Sequence, residues 1–512
     1  VDHRTRNSLR VGAIAASAAV CATLAVAGPA QAAVVTDTSA LRTAVTLDGV
    51  KSHLAAFQAI ADANGGNRAA GTPGHAASLA YVKQQLEGAG YATKVQSFSY
   101  ERTDFTGTSM SQVSPNPDTY TLGVDYFPMD FTGGGNLVDV HVTAVDVNLG
   151  GDRASTSGCE ATDFGTFPAG DIALIQRGSC DFAVKAQNAL DAGAVGVIVF
   201  NQGNDVPGDD RFGLFGGTLG SIVDENLPVV SAPFELGAEW VNTPDLHLSL
   251  SVQITVVPVT TQNIWADTAG RTDRTVVVGG HLDSVGEGPG INDNGSGTAA
   301  ILETAIQMSE LGIDPENRVR FAFWSGEEDG LIGSSHYVSQ LSAKEIKGTA
   351  LNLNFDMIGS PNPVNFVYDG DGNALGVSGP NGSGTIEGVF NDFFASQGEP
   401  TEPTDFDGRS DYFGFIEAGI PAGGLFTGAE GIKSAQQAAT FGGTAGVAYD
   451  PCYHAACDDI DNLDDDTLAL MSDAVAHSTL VFAETTSAVN GTGKGKAVGQ
   501  FDPSFKGHQA LR

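Results

Sequence analysis

His281-Leu-Asp283-Ser-Val-Gly-Glu-Gly-Pro-Gly-Ile-Asn-Asp293-Asn-Gly-Ser-Gly297 is the stretch on which the reading of this chain turns. It follows Thr275-Val-Val-Val-Gly-Gly280, an apolar run that predicts a buried strand. It precedes Thr298-Ala-Ala-Ile-Leu-Glu-Thr-Ala-Ile306, which predicts a helix. An imidazole and several carboxylates therefore occupy a glycine-rich loop past the end of a strand, where open α/β sheets bind ligands. A lone His-x-Asp carries little weight, and its meaning rests on partners elsewhere in the chain.

Those partners lie outward from the loop. Asn317-Arg-Val-Arg-Phe-Ala-Phe-Trp324 predicts a second strand running into Ser325-Gly-Glu327-Glu328. Thr349 to Phe355 predicts a third, running into Asp356-Met-Ile-Gly359, and Ile420 to Phe426 a fourth. Strands alternating with helices indicate a mostly parallel sheet. Side by side, such strands deliver His281, the Glu327–Glu328 pair and Asp356 to one rim. Asp293 joins from the loop after the first strand, and His454 from Cys452-Tyr453-His454-Ala-Ala-Cys457. Asp466 to Phe482 predicts a closing helix. Imidazole nitrogen with carboxylate oxygen is the donor set of zinc. Two histidines and three carboxylates exceed the needs of one ion and suit two, roughly 3.5–4 Å apart, sharing a bridging carboxylate.

Toward the N-terminus, residues 33 to about 47 read as a mobile leader. Val50, Leu54, Phe57 and Ile60 predict a helix over 48–64, and Leu79, Tyr81, Val82 and Leu86 a second. Tyr91 to Tyr100 alternates like a strand, whereas 104–135 is rich in Gly, Pro, Ser and Thr and reads as irregular connection. From about Asn136 short alternating runs dominate, with one helix at Phe182 to Gly193, and further strand-like runs fill 228–257. The core Ile172-Ala-Leu-Ile-Gln-Arg-Gly-Ser-Cys180-Asp-Phe182 through Phe200-Asn-Gln-Gly203 resembles the protease-associated (PA) domain, a non-catalytic β-rich module inserted in peptidases. His141 and His247 lie in this region without a metal-like constellation and read as ordinary structural or surface residues.

Taken together, His281-x-Asp283, Asn292-Asp293-Asn-Gly-Ser-Gly, Glu327-Glu328, Asp356-Met-Ile-Gly and Cys452-Tyr-His454-x-x-Cys457 resemble the secreted di-zinc aminopeptidases of the M28 family. The resemblance covers Asp48 to about Tyr100 and Pro258 to about Phe482. It implies an α/β fold, a central mostly parallel twisted sheet flanked by helices, with an inserted β-rich PA domain. The implied division is 33–130 with 258–484 for the peptidase and 133–257 for the PA domain. His281 and Asp356 would hold one zinc, Glu328 and His454 the other, with Asp293 bridging. Asp283 would orient His281. Glu327 would act as general base, and Tyr453 would donate to the tetrahedral intermediate. Arg409 would contact the substrate carbonyl region and Phe426 would wall a pocket for the first side chain. The implied substrates are peptides or proteins with free N-termini, with an apolar first residue such as Leu. Other zinc exopeptidases on this fold, carboxypeptidases among them, and a non-catalytic binding protein are the competing readings. No G-x-S-x-G or H-E-x-x-H is present.

The bulk properties bound the rest. Arg4, Arg6 and Arg10, the apolar run Val11 to Gly28 and Ala30-Gln31-Ala32 read as an export signal over 1–32, so the protein is expected to be extracellular. About 480 residues remain, enough for two or three domains. With 61 acidic and 25 basic residues the net charge is −36, which argues against nucleic acid as a partner. No other segment is apolar enough to span a bilayer, and a monomer is expected. Cys159, Cys180, Cys452 and Cys457 remain beyond the signal. Their even number implies disulfides in one of three connectivities, and closeness favours Cys159–Cys180 and Cys452–Cys457. Asp458, Asp459, Asp461 and Asp464 to Asp466 are of a type to bind calcium, Ca2+, but suit a helix N-terminus better. Asp369-Gly-Asp-Gly-Asn373 hints at a calcium loop without the glutamate an EF-hand requires. Residues 485–512 show no period and read as a flexible tail.

Overall fold

The computed structural model describes residues 36–204 and 211–491. The export signal read at 1–32 and most of the tail read at 485–512 lie outside the described residues.

Three strands form the centre. Arg271–His281 is flanked in parallel by Asn317–Trp324 on one side and Thr349–Phe355 on the other. Ala422–Phe426 extends the parallel set beyond Thr349–Phe355. Their central residues, Val276 to Val278, Phe321 to Trp324 and Leu351, Leu353 and Phe355, are apolar and buried because both faces are covered. On one face Val276, Val278, Phe321, Phe323, Leu353 and Phe355 pack against Leu54, Phe57, Ile301, Met471 and Val475. Those residues belong to helices Leu47–Ala63, Gly297–Glu310 and Asp465–Glu484. On the other face Val277, Ala322 and Trp324 meet Tyr337, Phe415 and Ile420.

The register fixes where the loops leave. Trp324 lies opposite His281, and Asn354 opposite Gly279. The segments that follow the three strands therefore emerge at nearly the same level on one rim.

Beyond Asn317–Trp324 the pairing turns antiparallel. His247–Asp267, 21 residues long, pairs near its C-terminal end with Asn317–Trp324 and near its N-terminal end with Gly135–Val145. Beyond that point Gly135–Val145, Ile172–Gln176, Gly196–Phe200 and Val229–Ala232 run parallel. Helix Phe182–Asp191 covers one face of this second region and Phe234–Val241 the other. The sheet is thus continuous through both halves. Both expected disulfides are formed, Cys159–Cys180 and Cys452–Cys457.

Four expectations need correction. The leader expected over 33–47 contains helix Ser39–Ala44, whose Leu41 is buried in the main core. The irregular connection expected over 104–135 is largely strand. Thr93–Ser114 pairs with His247–Asp267 from Thr93 opposite Ala266 to Ser114 opposite His247, with register shifts between Phe105 and Gly107 and between Gln112 and Ser114. A partner ladder overrides the weak strand propensity of its Gly, Ser and Thr residues. The strand-like reading of 228–257 misses helix Phe234–Val241, because a short apolar run does not separate helix from strand. The tail expected from 485 begins with a helical turn, Ser487–Asn490.

One buried group should make this fold acid-sensitive. His75 is buried in helix Pro73–Gly88, with Nδ1 3.3 Å from Thr261 Oγ1. Burial, assisted by the charge of Arg68, lowers its pKa from 6.5 to about 3. The folded value lies below the unfolded one, so this stability is full above about pH 6.5 and is lost as pH falls toward 3. His75→Gln should remove the effect. Denaturant melts between pH 6.5 and 4 should then show a shallower loss of unfolding free energy in the variant than in the parent. Equal slopes would clear His75 of the role.

Candidate metal centre

The rim gathers five side chains into two groups that share one member. His281 Nε2 lies 3.3 Å from Asp356 Oδ1 and 3.3 Å from Asp293 Oδ1. His454 Nε2 lies 3.0 Å from Glu328 Oε2 and 3.3 Å from Asp293 Oδ2. Asp293 thus gives one carboxylate oxygen to each imidazole. Donors bonded to one tetrahedral zinc at about 2.0–2.1 Å stand about 3.3 Å from each other, and these separations match that edge. Glu327 Oε2 is 3.9 Å from His281 Nε2, beside the groups. The sets His281, Glu327, Asp356 and His281, Asp293, Glu328 each bring their donor atoms within 4.8 Å.

Local sequence explains how Asp293 is held. Asn292 Nδ2 donates to Asp450 at 2.7 Å and to Ser360 at 3.1 Å, while its Oδ1 accepts from Gly359 N. Asn294 Nδ2 donates to Phe355 O at 2.8 Å, and its Oδ1 accepts from Gly297 N. The asparagines on either side of Asp293 thus clamp its loop to the segment carrying Asp356. Asp458 accepts the main-chain N–H groups of Asn292 and Asp293 at 2.8 and 3.0 Å. The disulfide loop bearing His454 is seated close by. A Cβ on Gly288 would meet Ala455 O at 2.2 Å, so glycine permits that approach.

Three supports leave little trace in the sequence. Arg68 is fully buried and its guanidinium donates to the carbonyls of Leu282, Pro289 and Gly290, closing the loop after His281. Burial lowers its pKa to about 10 against the pull of Asp283, Asp458, Glu328 and Asp293. Nothing in its Gly- and Pro-containing stretch signals this task. Ser410 Oγ donates to Asp356 Oδ2 at 2.6 Å and accepts from Asn354 Nδ2 at 2.7 Å. Its place beside Arg409 was the available hint. Around Asp283, the main-chain carbonyl faces His281 Nδ1 at 3.1 Å, nearer than the carboxylate at 3.9 Å. The Asp283 carboxylate instead accepts from Glu327 N at 3.4 Å.

The centre is short of positive charge. Burial raises Glu327 well above the usual carboxylate range, with Asp356 and Glu328 adding to the rise and His281 opposing it. Burial likewise raises Asp283 to about 8. Burial works against a charged His281, yet Asp356 and Glu327 raise its pKa well above the ordinary value. Burial would also raise Asp293, but hydrogen bonds from His281 and His454 hold it low. Glu328 Oε1 is buried without a hydrogen-bond partner. A surplus of buried carboxylate, an orphaned oxygen and N/O donors at tetrahedral spacing fit a pair of divalent cations.

At the open side the ring of Tyr453 stacks on His454 at 3.8 Å. Arg409 donates to Tyr453 Oη at 3.2 Å and to Glu430 at 2.8 Å. Phe426, half-buried at its strand end, stacks on Phe366, whose ring meets the edge of Tyr449. Of the residues weighed for calcium, Asp458 is occupied as above and Asp464 accepts from Thr467 N as a helix cap. Asp369 and Asp371 come together with Glu387, within 4.8 Å. Asp369 accepts three main-chain N–H groups and Glu387 two. Protein donors account for these carboxylates.

Two family models match parts of the chain. The model of peptidase family M28 matches residues 263–479, and that of the PA domain residues 137–240. A protein of Pseudomonas aeruginosa named aminopeptidase is 49% identical over 443 residues, covering 86% of this chain and 82% of its own length. Leucine aminopeptidase 2 of Arthroderma otae is 44% identical over 339 residues, 65% of this chain and 66% of its own. In three dimensions, an aminopeptidase from Aneurinibacillus sp. strain AM-1 aligns with a TM-score of 0.66 at 24% identity. That alignment covers 86% of this chain and 95% of the other and shows a common fold.

The guanidinium clamp can be tested by itself. Arg68→Met leaves three buried carbonyls without their donor, which should cost about 3 kcal/mol or more in urea unfolding. A loss under about 1 kcal/mol would mean that the loop after His281 closes without it.

Proposed function

The chain belongs to peptidase family M28, and on that footing we propose that it is a zinc-dependent aminopeptidase acting on peptides with a free N-terminus. The observation that carries the reading is the division of Asp293 between His281 and His454. His281, Asp356 and one oxygen of Asp293 would hold one zinc; Glu328, His454 and the other oxygen would hold the second. When bound, the two ions supply Lewis acidity to the peptide carbonyl and the attacking water.

The protein groups divide the remaining work. Glu327, its side chain 10% exposed and its proton affinity raised by burial, takes a proton from the attacking water and returns it to the leaving amine. Tyr453 stays protonated because burial raises its pKa. Since Arg409 donates to its oxygen, the phenolic hydrogen is left for the oxyanion of the tetrahedral intermediate. Arg409 lies beside the path of the substrate carbonyl. Glu327 and Asp356 receive the substrate α-ammonium, which excludes blocked N-termini. Phe426, backed by Phe366 and Tyr449, walls a pocket for a large apolar first residue such as Leu. An extracellular location agrees with the two disulfides.

Purified protein should hydrolyse a Leu chromogenic amide faster than Lys or Glu amides. Chelator should abolish turnover and zinc restore it. Failure to cleave any free-amine substrate with two zinc ions bound would overturn the proposal. Glu327→Ala should lower kcat by about 10²–10⁴-fold with both metals retained on elemental analysis, and His454→Ala should lose one of the two. Full turnover by Glu327→Ala would reassign the base.

A further inference from the structure

The loop after strand Asn317–Trp324 carries a third carboxylate, Asp329, that is held from outside the centre. Tyr100 Oη donates to Asp329 Oδ2. Arg102 Nη1 stands 3.4 Å from both Asp329 oxygens, and Arg102 Nε donates to Asp104 Oδ1 at 2.7 Å. Tyr100, Arg102 and Asp104 recur at every second residue of Thr93–Ser114 and so share one face of that strand. The same strand continues, paired with His247–Asp267, into the PA half of the sheet.

The PA half also reaches the loop directly. A Cβ on Gly330 would stand 3.5 Å from Phe131 and 3.8 Å from Thr218. Phe131 and Thr218 come from segments joined through Asp130, whose N–H donates to Gly217 O and whose carbonyl accepts from Leu219 N.

Sequence and geometry make this grip consequential. Between Trp324 and Leu331 the loop reads Ser-Gly-Glu-Glu-Asp-Gly, with no apolar side chain to pack. Its placement is left to polar contacts. The turn is tight: Glu327 O accepts from Gly330 N and Leu331 N, both at 2.8 Å, and encloses Asp329. Any displacement of Asp329 is therefore transmitted to Glu327 and Glu328. The Asp329 side chain is only 12% exposed, so water competes poorly for its partners.

We propose that Asp329 is a positioning residue which, gripped by Tyr100 and Arg102, places Glu327 and Glu328, making the strand that carries the PA domain part of the catalytic framework. The kinetic part of this inference rests on the aminopeptidase reading; the metal-binding part does not.

The test uses the full chain and the variants Asp329→Asn, Tyr100→Phe, Arg102→Ala, Arg102→Lys and the Tyr100→Phe/Asp329→Asn double. Zinc is titrated into chelator-stripped protein, cobalt(II) spectra are recorded, and kcat and KM are measured on a Leu amide. Asp329→Asn and Tyr100→Phe should each weaken metal binding about 10–100-fold and alter the cobalt absorption bands. They should lower kcat about tenfold with KM within twofold. The double variant should be no worse than Asp329→Asn, because both changes break one contact. Arg102→Lys should recover most of what Arg102→Ala loses. Metal affinity and kcat within twofold of the parent in both Asp329→Asn and Tyr100→Phe would overturn the proposal, as would losses that multiply in the double variant. Should Asp329→Asn not fold, Tyr100→Phe, which removes a single oxygen, decides the matter. If the parent cleaves no free-amine substrate, the aminopeptidase reading fails, and the titration and cobalt spectra alone judge the role of Asp329.

Discussion

One carboxylate facing two imidazoles sets the terms for the rest of this protein. Asp293 lies 3.3 Å from His281 and 3.3 Å from His454, in a region already crowded with Asp356, Glu327 and Glu328. Like charges at that density and burial repel one another and lose hydration, so they persist only where partners compensate. The compensation surrounds them in layers. Asn292 and Asn294 tie the loop to the main chain on either side of Asp356, at Gly359 and Phe355, Asp458 gathers two of its amides, and Arg68 holds the carbonyls of the loop before it. A pair of divalent cations would complete that compensation at the centre itself.

The second governing feature is the long ribbon formed by Thr93–Ser114 and His247–Asp267. The PA domain has apolar clusters of its own, around Phe182 on one face of its sheet and Trp240 on the other. A flexible linker would have let it move as a separate body. A backbone ladder that starts in the peptidase sheet and ends in the PA sheet instead makes the two continuous. The candidate metal centre is consequently built within a framework that includes the PA half of the sheet. Asp329 lies where that framework touches the site.

Much of the site is legible in the chain, for a physical reason. Parallel strands covered on both faces are largely apolar, so Thr275 to Gly280, Asn317 to Trp324 and Thr349 to Phe355 stand out by their Val, Leu and Phe content. Ligands in α/β sheets bind beyond the C-terminal ends of strands, so His281, Glu327, Glu328 and Asp356 draw notice as soon as those ends are placed. The structure brings these residues together with Asp293 and His454. Other features depend on partners remote in sequence and have no local signature. Residues 104–114 become strand because 247–255 pair with them. Phe234–Val241 becomes helix over an apolar patch that a strand could also have covered.

The sequence by itself determined the order of the strands and loops that carry the rim, the donor types there and the pairs of cysteines close enough to join, since each depends on neighbours along the chain. Only the tertiary structure decided which oxygen of Asp293 faces which histidine, that Arg68 closes the loop after His281, that Ser410 backs Asp356 and that the Asp283 carbonyl lies nearest His281. Such contacts span up to 222 residues, as from Arg68 to Gly290. They are settled by the packing of whole elements, and a buried donor reveals its acceptor only when both have been placed.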